Sequence, residues 1–174
     1  MLTRTIRRGW IFLIFLGLIS INCKRQSEQE LRTQAQQLEG QEKFQDAIKV
    51  YEQQIQKYPR GHYADETLQK LAFLYYNHLH DFNQAIEMHS RLVSDFPESK
   101  FISQARFMMG YIYANDLKDY DKARTAYTEF LQHHPESELV ESVKWELEHL
   151  GKDVNEQLKE LFSTDKSNSQ VKAN

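Results

Sequence analysis

Three segments of this sequence repeat one another at a constant interval of 38 residues. Alanine recurs at positions 47, 85 and 123, and proline recurs at positions 59, 97 and 135. An aromatic residue stands three positions before each alanine. A fixed interval of this size is typical of stacked repeat proteins, in which each unit buries its apolar face against the next. The alternative, three unrelated amphipathic helices, would require all of these series to coincide by chance.

Each repeat predicts a pair of helices. In the third copy the residues at 123, 126, 127, 130 and 131 are apolar and recur at helical spacing on one face. Pro135 then ends the helix, because its ring disfavours helical geometry at His134. Small residues at 72, 85, 110 and 123 allow the paired helices to approach closely. The sequence therefore predicts an all-α fold.

The repeat unit resembles the tetratricopeptide repeat (TPR). The second copy reads L-A-x2-Y…A…P over residues 71–97, and the third reads M-G-x2-Y…A-x3-Y…P over residues 109–135. The first copy, A…L…A-x3-Y…P over residues 35–59, matches less well, and His89 replaces an aromatic residue in the second. The TPR period is 34 residues, four fewer than the interval in this sequence. We place the four additional residues after each proline and, in copies two and three, in the turn between the paired helices.

The resemblance implies a helical-hairpin solenoid with about three repeats and C-terminal capping helices. The expected repeats span about residues 28–61, 62–99 and 100–137, and the cap spans residues 138–162. Residues 163–174 are polar and are expected to be disordered.

The N-terminal residues predict a signal peptide. Three arginines precede the 12-residue apolar run WIFLIFLGLISI, residues 10–21, and Cys23 follows it. A membrane-spanning helix needs about 20 apolar residues, whereas a basic start and a short apolar run are typical of a secretory signal. The pattern resembles a bacterial lipoprotein signal, which implies a signal peptide over residues 1–22, lipid attachment at Cys23 and a tether over residues 23–27. The sequence S-I-N before the cysteine departs from the usual lipobox, so an uncleaved signal anchor and a chance cysteine remain alternatives.

The resemblance also implies a location and a role. Lys24 is not the aspartate that retains lipoproteins in the inner membrane, so the implied location is the periplasmic face of the outer membrane. The chain is similar to TPR lipoproteins of outer-membrane biogenesis such as BamD, and its C-terminal repeats resemble the TPR domain of the Tol–Pal coordinator (YbgF/CpoB type). This chain is shorter than BamD and lacks the N-terminal coiled coil of the Tol–Pal coordinator. The implied role is a scaffold for proteins in envelope assembly. A pilotin-like lipoprotein and an accessory to a cell-wall enzyme are the alternatives.

Nothing in the sequence points to catalysis, a cofactor or a metal. There is no Gly-rich phosphate loop, nucleophile elbow or HExxH motif. His78, His80 and Asp81 offer metal-ligand types, but they are expected in a turn between helices, and zinc needs three or four convergent ligands. The net charge of −3 gives no electrostatic footprint for nucleic acid. We therefore expect a non-enzymatic protein that binds a protein or peptide in the envelope and reaches the membrane through its N-terminal lipid.

The expected binding site is the concave groove that the first helix of each pair lines in TPR arrays. Transfer of the TPR groove positions gives Gln69, Phe73, Tyr76, Asn77, Gln104, Phe107, Tyr111, Asn115 and Trp145. Trp145 continues the Phe107 position into the capping helix and lies opposite that helix's apolar face. The first copy offers Arg32, Gln36 and Glu39 instead, so any apolar hot spot should lie in the C-terminal two-thirds. The alternative is that the aromatic residues pack between successive pairs.

Overall fold

The structure is a computed structural model that describes residues 26–152. Within that range it contains seven α-helices and no β-strand. The helices are α1 (Glu28–Gly40), α2 (Phe44–Lys57), α3 (Ala64–Leu74, continued by a π-helical turn, Tyr75–Leu79), α4 (Phe82–Asp95), α5 (Ile102–Asn115), α6 (Tyr120–His133) and α7 (Val140–His149). Each helix packs against the next along the chain, so α1/α2, α3/α4 and α5/α6 form three stacked pairs and α7 covers the last of them. The predicted signal peptide, Cys23 and the segment after residue 152, which includes the end of the predicted cap and the predicted disordered tail, lie outside the described residues.

Side chains that satisfy backbone N–H groups fix where several helices begin. Ser27 and Glu30 form a reciprocal capping box at the start of α1. Asp81 and Asp119 occupy equivalent repeat positions, and their side chains accept the backbone N–H of Gln84 at 3.0 Å and of Lys122 at 3.2 Å. None of the helices within residues 26–152 combines the length and apolar character that crossing a membrane requires.

The predicted close contacts between paired helices are confirmed. Ala47, Ala85 and Ala123 are fully buried, as is Ala72 in the second pair. A Cβ atom added to Gly110 would lie 2.5 Å from the ring of Tyr127, so no other residue fits there without a shift of that ring. The small side chains therefore set how closely the two helices of a pair pack.

The turns inside the three pairs share one backbone feature. Glu42, His80 and Lys118 are 38 residues apart, and all three have a left-handed backbone, with φ of 59°, 52° and 55°. Residues other than glycine seldom adopt this conformation. The repeat therefore extends to the backbone geometry of the turn as well as to the side chains.

The additional residues that the sequence places in the turn of the second pair lie partly within its first helix, which corrects the sequence prediction. The first helix of that pair continues through the π-helical turn Tyr75–Leu79. A π-helical turn accommodates one extra residue within a helix. His78 consequently lies on this turn rather than in the loop, and its ring stacks on that of Phe44 with centroids 3.5 Å apart. In the third pair α5 ends at Asn115, but the turn closes with the equivalent bond, from the Asp119 N–H to the Tyr113 carbonyl, as Asp81 bonds to Tyr75 in the second pair.

Candidate partner-binding surface

The nine predicted groove residues lie on the first helices of successive pairs: α3 with its π-helical turn, α5 and α7. Among the aromatic side chains of this set, those of Phe73 and Trp145 are the most exposed, with exposed fractions of 51% and 56%. Asn77, Gln104 and Asn115 are exposed, whereas Gln69, Tyr76, Phe107 and Tyr111 are half-buried.

Helix α5 has apolar side chains on more than one face. Ala105 and Ile112 are fully buried in the core, while the ring of Phe107 lies 6.1 Å from that of Tyr111, which is partly exposed. Phe107 also lies 6.2 Å from the buried ring of Tyr127. A helix that is apolar beyond its core-facing stripe offers surface for a further contact.

Tyr76 belongs to the packing between elements as much as to the surface. Its ring lies 5.7 Å from that of Phe82, and the side chain packs against the main core cluster. Burial raises the pKa of the Tyr76 hydroxyl, and the negative charge of nearby Asp116, the adjacent Tyr111 and a hydrogen bond to the Asp116 side chain add to the shift. The structure thus combines the two alternatives for this residue, packing and partial exposure.

The polar and C-terminal members of the surface are held by local hydrogen bonds. The side-chain amides of Asn77 and Asn115 donate to backbone carbonyls four residues earlier, at 3.0 Å and 3.3 Å. The ring of Trp145 stacks on that of His149 with centroids 4.3 Å apart, and His149 Nδ1 lies 2.7 Å from the Trp145 carbonyl oxygen. These intramolecular contacts hold exposed side chains in fixed positions on the helix surface.

In the first pair the groove positions carry Arg32, Gln36 and Glu39, and two of these three side chains contact other helices of the protein. Arg32 forms a two-pronged ion pair with Glu66, at 2.7 Å and 3.0 Å, and its guanidinium lies 4.5 Å from the ring centre of Tyr63. Glu39 accepts a hydrogen bond from the buried Tyr51 hydroxyl. Gln36 is exposed. The exposed aromatic residues therefore lie on the second and third pairs and α7.

Sequence reasoning missed Asp116, which caps the C-terminus of α5. The residue as a whole is half-buried: its Oδ2 atom is inaccessible to solvent and unpartnered among residues 26–152, whereas its side chain also forms a hydrogen bond with Tyr76. The repeat register places a helix end here, but nothing in the spacing distinguishes this carboxylate from those in the other turns. Only the fold brings it next to Tyr76, 40 residues earlier in the chain.

The described residues contain no group of three or more side chains placed to hold a metal ion. The sequence profile "Tetratricopeptide repeat" matches residues 66–99 and 104–137, which correspond to the second and third helical pairs. Together with the stacked pairs, this match defines an all-α TPR solenoid. Repeats of this kind support the role of a protein–protein interaction scaffold. A comparison with curated proteins gives no significant match.

Proposed function

We propose that this protein is a lipid-anchored TPR adaptor of the cell envelope, whose concave surface binds a peptide segment of an envelope protein. One observation carries the binding part of the proposal: exposed or half-exposed aromatic side chains recur on three successive first helices. Phe73 lies on α3, Phe107 and Tyr111 lie on α5, and Trp145 lies on α7. Large aromatic side chains that are not needed in a core are the typical anchors of protein interfaces.

The anchoring part rests on the sequence. The apolar run of residues 10–21 is too short to span a membrane, and Cys23 follows it directly. Acyl chains on that cysteine would hold the chain at a membrane surface and leave the repeats in the periplasm. Lys24 favours the outer membrane by the resemblance given above. The proposed setting is therefore the periplasmic face of the outer membrane, in envelope assembly.

Site-specific photo-crosslinking in the native membrane tests the binding surface. A photoreactive amino acid replaces Phe73 or Trp145, and the matched control replaces Thr125, which is exposed on α6. We expect the same protein adduct from positions 73 and 145 and none from position 125. Equal adducts from all three positions, or none from 73 and 145, would overturn the proposal. An adduct with a secretin or pilus subunit would favour the pilotin-like alternative.

Metabolic labelling with palmitate tests the anchor. Cys23→Ser should remove the label and release the protein from the membrane fraction, because the acyl chains supply most of its membrane affinity. Equal label in the wild type and the variant would contradict lipid attachment at Cys23.

A further inference from the structure

The start of the described chain is held by the link between α2 and α3. The Tyr58 hydroxyl donates a hydrogen bond to the backbone carbonyl oxygen of Gln26 at 2.8 Å. Glu28, the first residue of α1, accepts hydrogen bonds from the backbone N–H groups of His62 at 3.0 Å and Tyr63 at 2.9 Å. These three hydrogen bonds, which we call the N-terminal clamp, fix the beginning of α1 to this link.

The acidic side chains at the start of α1 are engaged internally. Glu28 bonds the backbone just before α3, and Glu30 accepts the backbone N–H of Ser27 at 2.8 Å. Carboxylates are favourable at helix starts, where unpaired N–H groups carry partial positive charge. Gly61 leaves space for the first of these contacts, because a Cβ atom there would lie 2.2 Å from a carboxylate oxygen of Glu28.

The link beside the clamp is basic, whereas the two equivalent links further along the chain are acidic. Residues 57–62 contain Lys57 and Arg60 and no acid, residues 95–100 contain two acids and one base, and residues 133–138 contain two acids and neither lysine nor arginine. Arg60 is exposed and Lys57 is half-buried. Neither takes part in an ion pair within residues 26–152. Positive charge is therefore concentrated next to the N-terminal clamp.

The clamp also lies close to the proposed lipid. Two residues, Lys24 and Arg25, separate Cys23 from Gln26, so the Cα atoms of Cys23 and Gln26 are at most about 11 Å apart. Acyl chains on Cys23 would therefore bring the α2–α3 link to the membrane surface. Lys24 and Arg25 add two positive charges to those of the link, and anionic headgroups attract lysine and arginine close to a membrane.

We propose that the α2–α3 link is a membrane-contacting surface, which lies on anionic lipid headgroups through Lys57 and Arg60 and holds the lipidated solenoid in one orientation. The two acidic links are repelled by the same headgroups, so the C-terminal pairs stand off the membrane. Phe73 and Asn77 lie towards the opposite end of α3 and its π-helical turn, away from the lipid. This inference rests on the anchor part of the proposed function, because only the lipid fixes the distance to the membrane.

Fluorescence quenching on vesicles tests the orientation. The lipidated protein is reconstituted into vesicles of phosphatidylethanolamine and phosphatidylglycerol, with a short-range nitroxide quencher on some headgroups. A thiol-reactive fluorophore labels His62→Cys or, at the far end of α1, Gln41→Cys; both positions are exposed, and an acylated Cys23 does not react. The length of α1, about 20 Å, separates the two positions. We expect at least about threefold stronger quenching at position 62 than at position 41.

Two sets of charge variants, made in the protein labelled at position 62, test the role of the basic link. Lys57→Gln combined with Arg60→Gln should remove about half of the quenching or more, because the attraction to the headgroups is lost. Vesicles of phosphatidylcholine alone should have the same effect on the unchanged link. The matched control Lys43→Gln removes an exposed lysine at the other end of α1 and should leave the quenching intact.

Equal quenching at positions 41 and 62 would overturn the inference, and so would quenching at position 62 that survives the loss of both basic side chains. Thermal melts of the variants in detergent should match the wild type, since the two bases form no ion pair within residues 26–152. The anchor fails in a different way. Absence of the palmitate label overturns the anchor together with this inference, whereas labelled protein with equal quenching at both positions overturns this inference alone.

Discussion

The first and third helical pairs follow the same register but use it differently. Arg32 and Glu39 on α1 form ion pairs and hydrogen bonds with neighbouring helices, whereas Phe107 and Tyr111 on α5 remain partly exposed. The repeat places equivalent side chains on the same face of each first helix, and their chemistry decides which contacts they form. In the first pair these side chains contact neighbouring helices, whereas in the third pair they leave aromatic surface to which we propose a partner binds.

The cores of the two pairs also differ. Gln54 is fully buried with both side-chain polar atoms unpartnered among the described residues, and it stands where the second and third pairs carry Leu92 and Phe130. At another core position the three pairs carry Tyr51, His89 and Tyr127. The Tyr51 hydroxyl donates a hydrogen bond to Glu39, whereas His89 Nδ1 and the Tyr127 hydroxyl have no hydrogen-bond partner within the described range. All three pairs therefore bury a polar group at this position, and only the first pair buries an amide at the position of Leu92 and Phe130.

The largest effect is expected from crowding the third pair. In Gly110→Leu the new side chain would collide with the buried ring of Tyr127, and we expect a loss of more than about 3 kcal/mol in the free energy of unfolding. Gly40→Leu is the matched control, because no atom lies within 4 Å of the Cβ position at the end of α1. Urea denaturation of both variants checks this. Similar stability in the two would mean that α5 and α6 pack less closely than the structure shows.

His89 should make the second pair sensitive to acid. Burial lowers the pKa of His89 to about 4, while the unfolded chain has a histidine pKa of about 6.5. Between these values the unfolded state binds more protons, so the free energy of unfolding should fall by up to about 3 kcal/mol as the pH drops from 6.5 to 4, and this contribution should level off below pH 4. His89→Phe removes the titrating group. Parallel pH profiles for the wild type and this variant would contradict the assignment.

The contrast between the proposed binding surface and the internal contacts of the first pair predicts opposite outcomes for two truncations. Trp145→Ala should weaken partner binding by at least about 2 kcal/mol, roughly 30-fold, with little change in melting temperature, because the ring is mostly exposed. Arg32→Ala should lower stability by about 1 kcal/mol, since it breaks the contacts with Glu66 and Tyr63, and should leave binding unchanged. Affinity for the crosslinked partner and thermal melts of both variants decide this. Equal loss of partner binding in both variants would contradict the prediction that the first pair takes no part in binding.

The smallest effect is expected from making the first pair resemble the others. Gln54→Leu should raise the free energy of unfolding by about 1–2 kcal/mol, because it removes a buried amide that has no partner among the described residues. The reciprocal change, Leu92→Gln, should destabilise the second pair and serves as its control. If Gln54→Leu lowers stability, the Gln54 amide has a hydrogen-bond partner in the folded protein outside residues 26–152 or in solvent.

Much of the fold could be predicted from the regular spacing. The alanines, prolines and aromatic residues at a period of 38 indicated the stacked pairs, and the structure and the TPR match confirm the all-α solenoid. The π-helical turn was not foreseen, because one extra residue can be absorbed either in a loop or within a helix. The groove residues remain a prediction. Their placement on first helices followed from the register, but the share of each ring that is buried did not.

The sequence by itself determined the period, the helical pairs and the short apolar run before Cys23, since these depend on residue spacing along the chain. Only the tertiary structure decided that Asp116 meets Tyr76, that Gln54 lacks a partner among the described residues and that Arg32 is held by Glu66. These relations join residues from different helices or depend on what surrounds a buried atom. Their physical basis is the packing of one pair on the next, which sets distances and burial that no local pattern encodes.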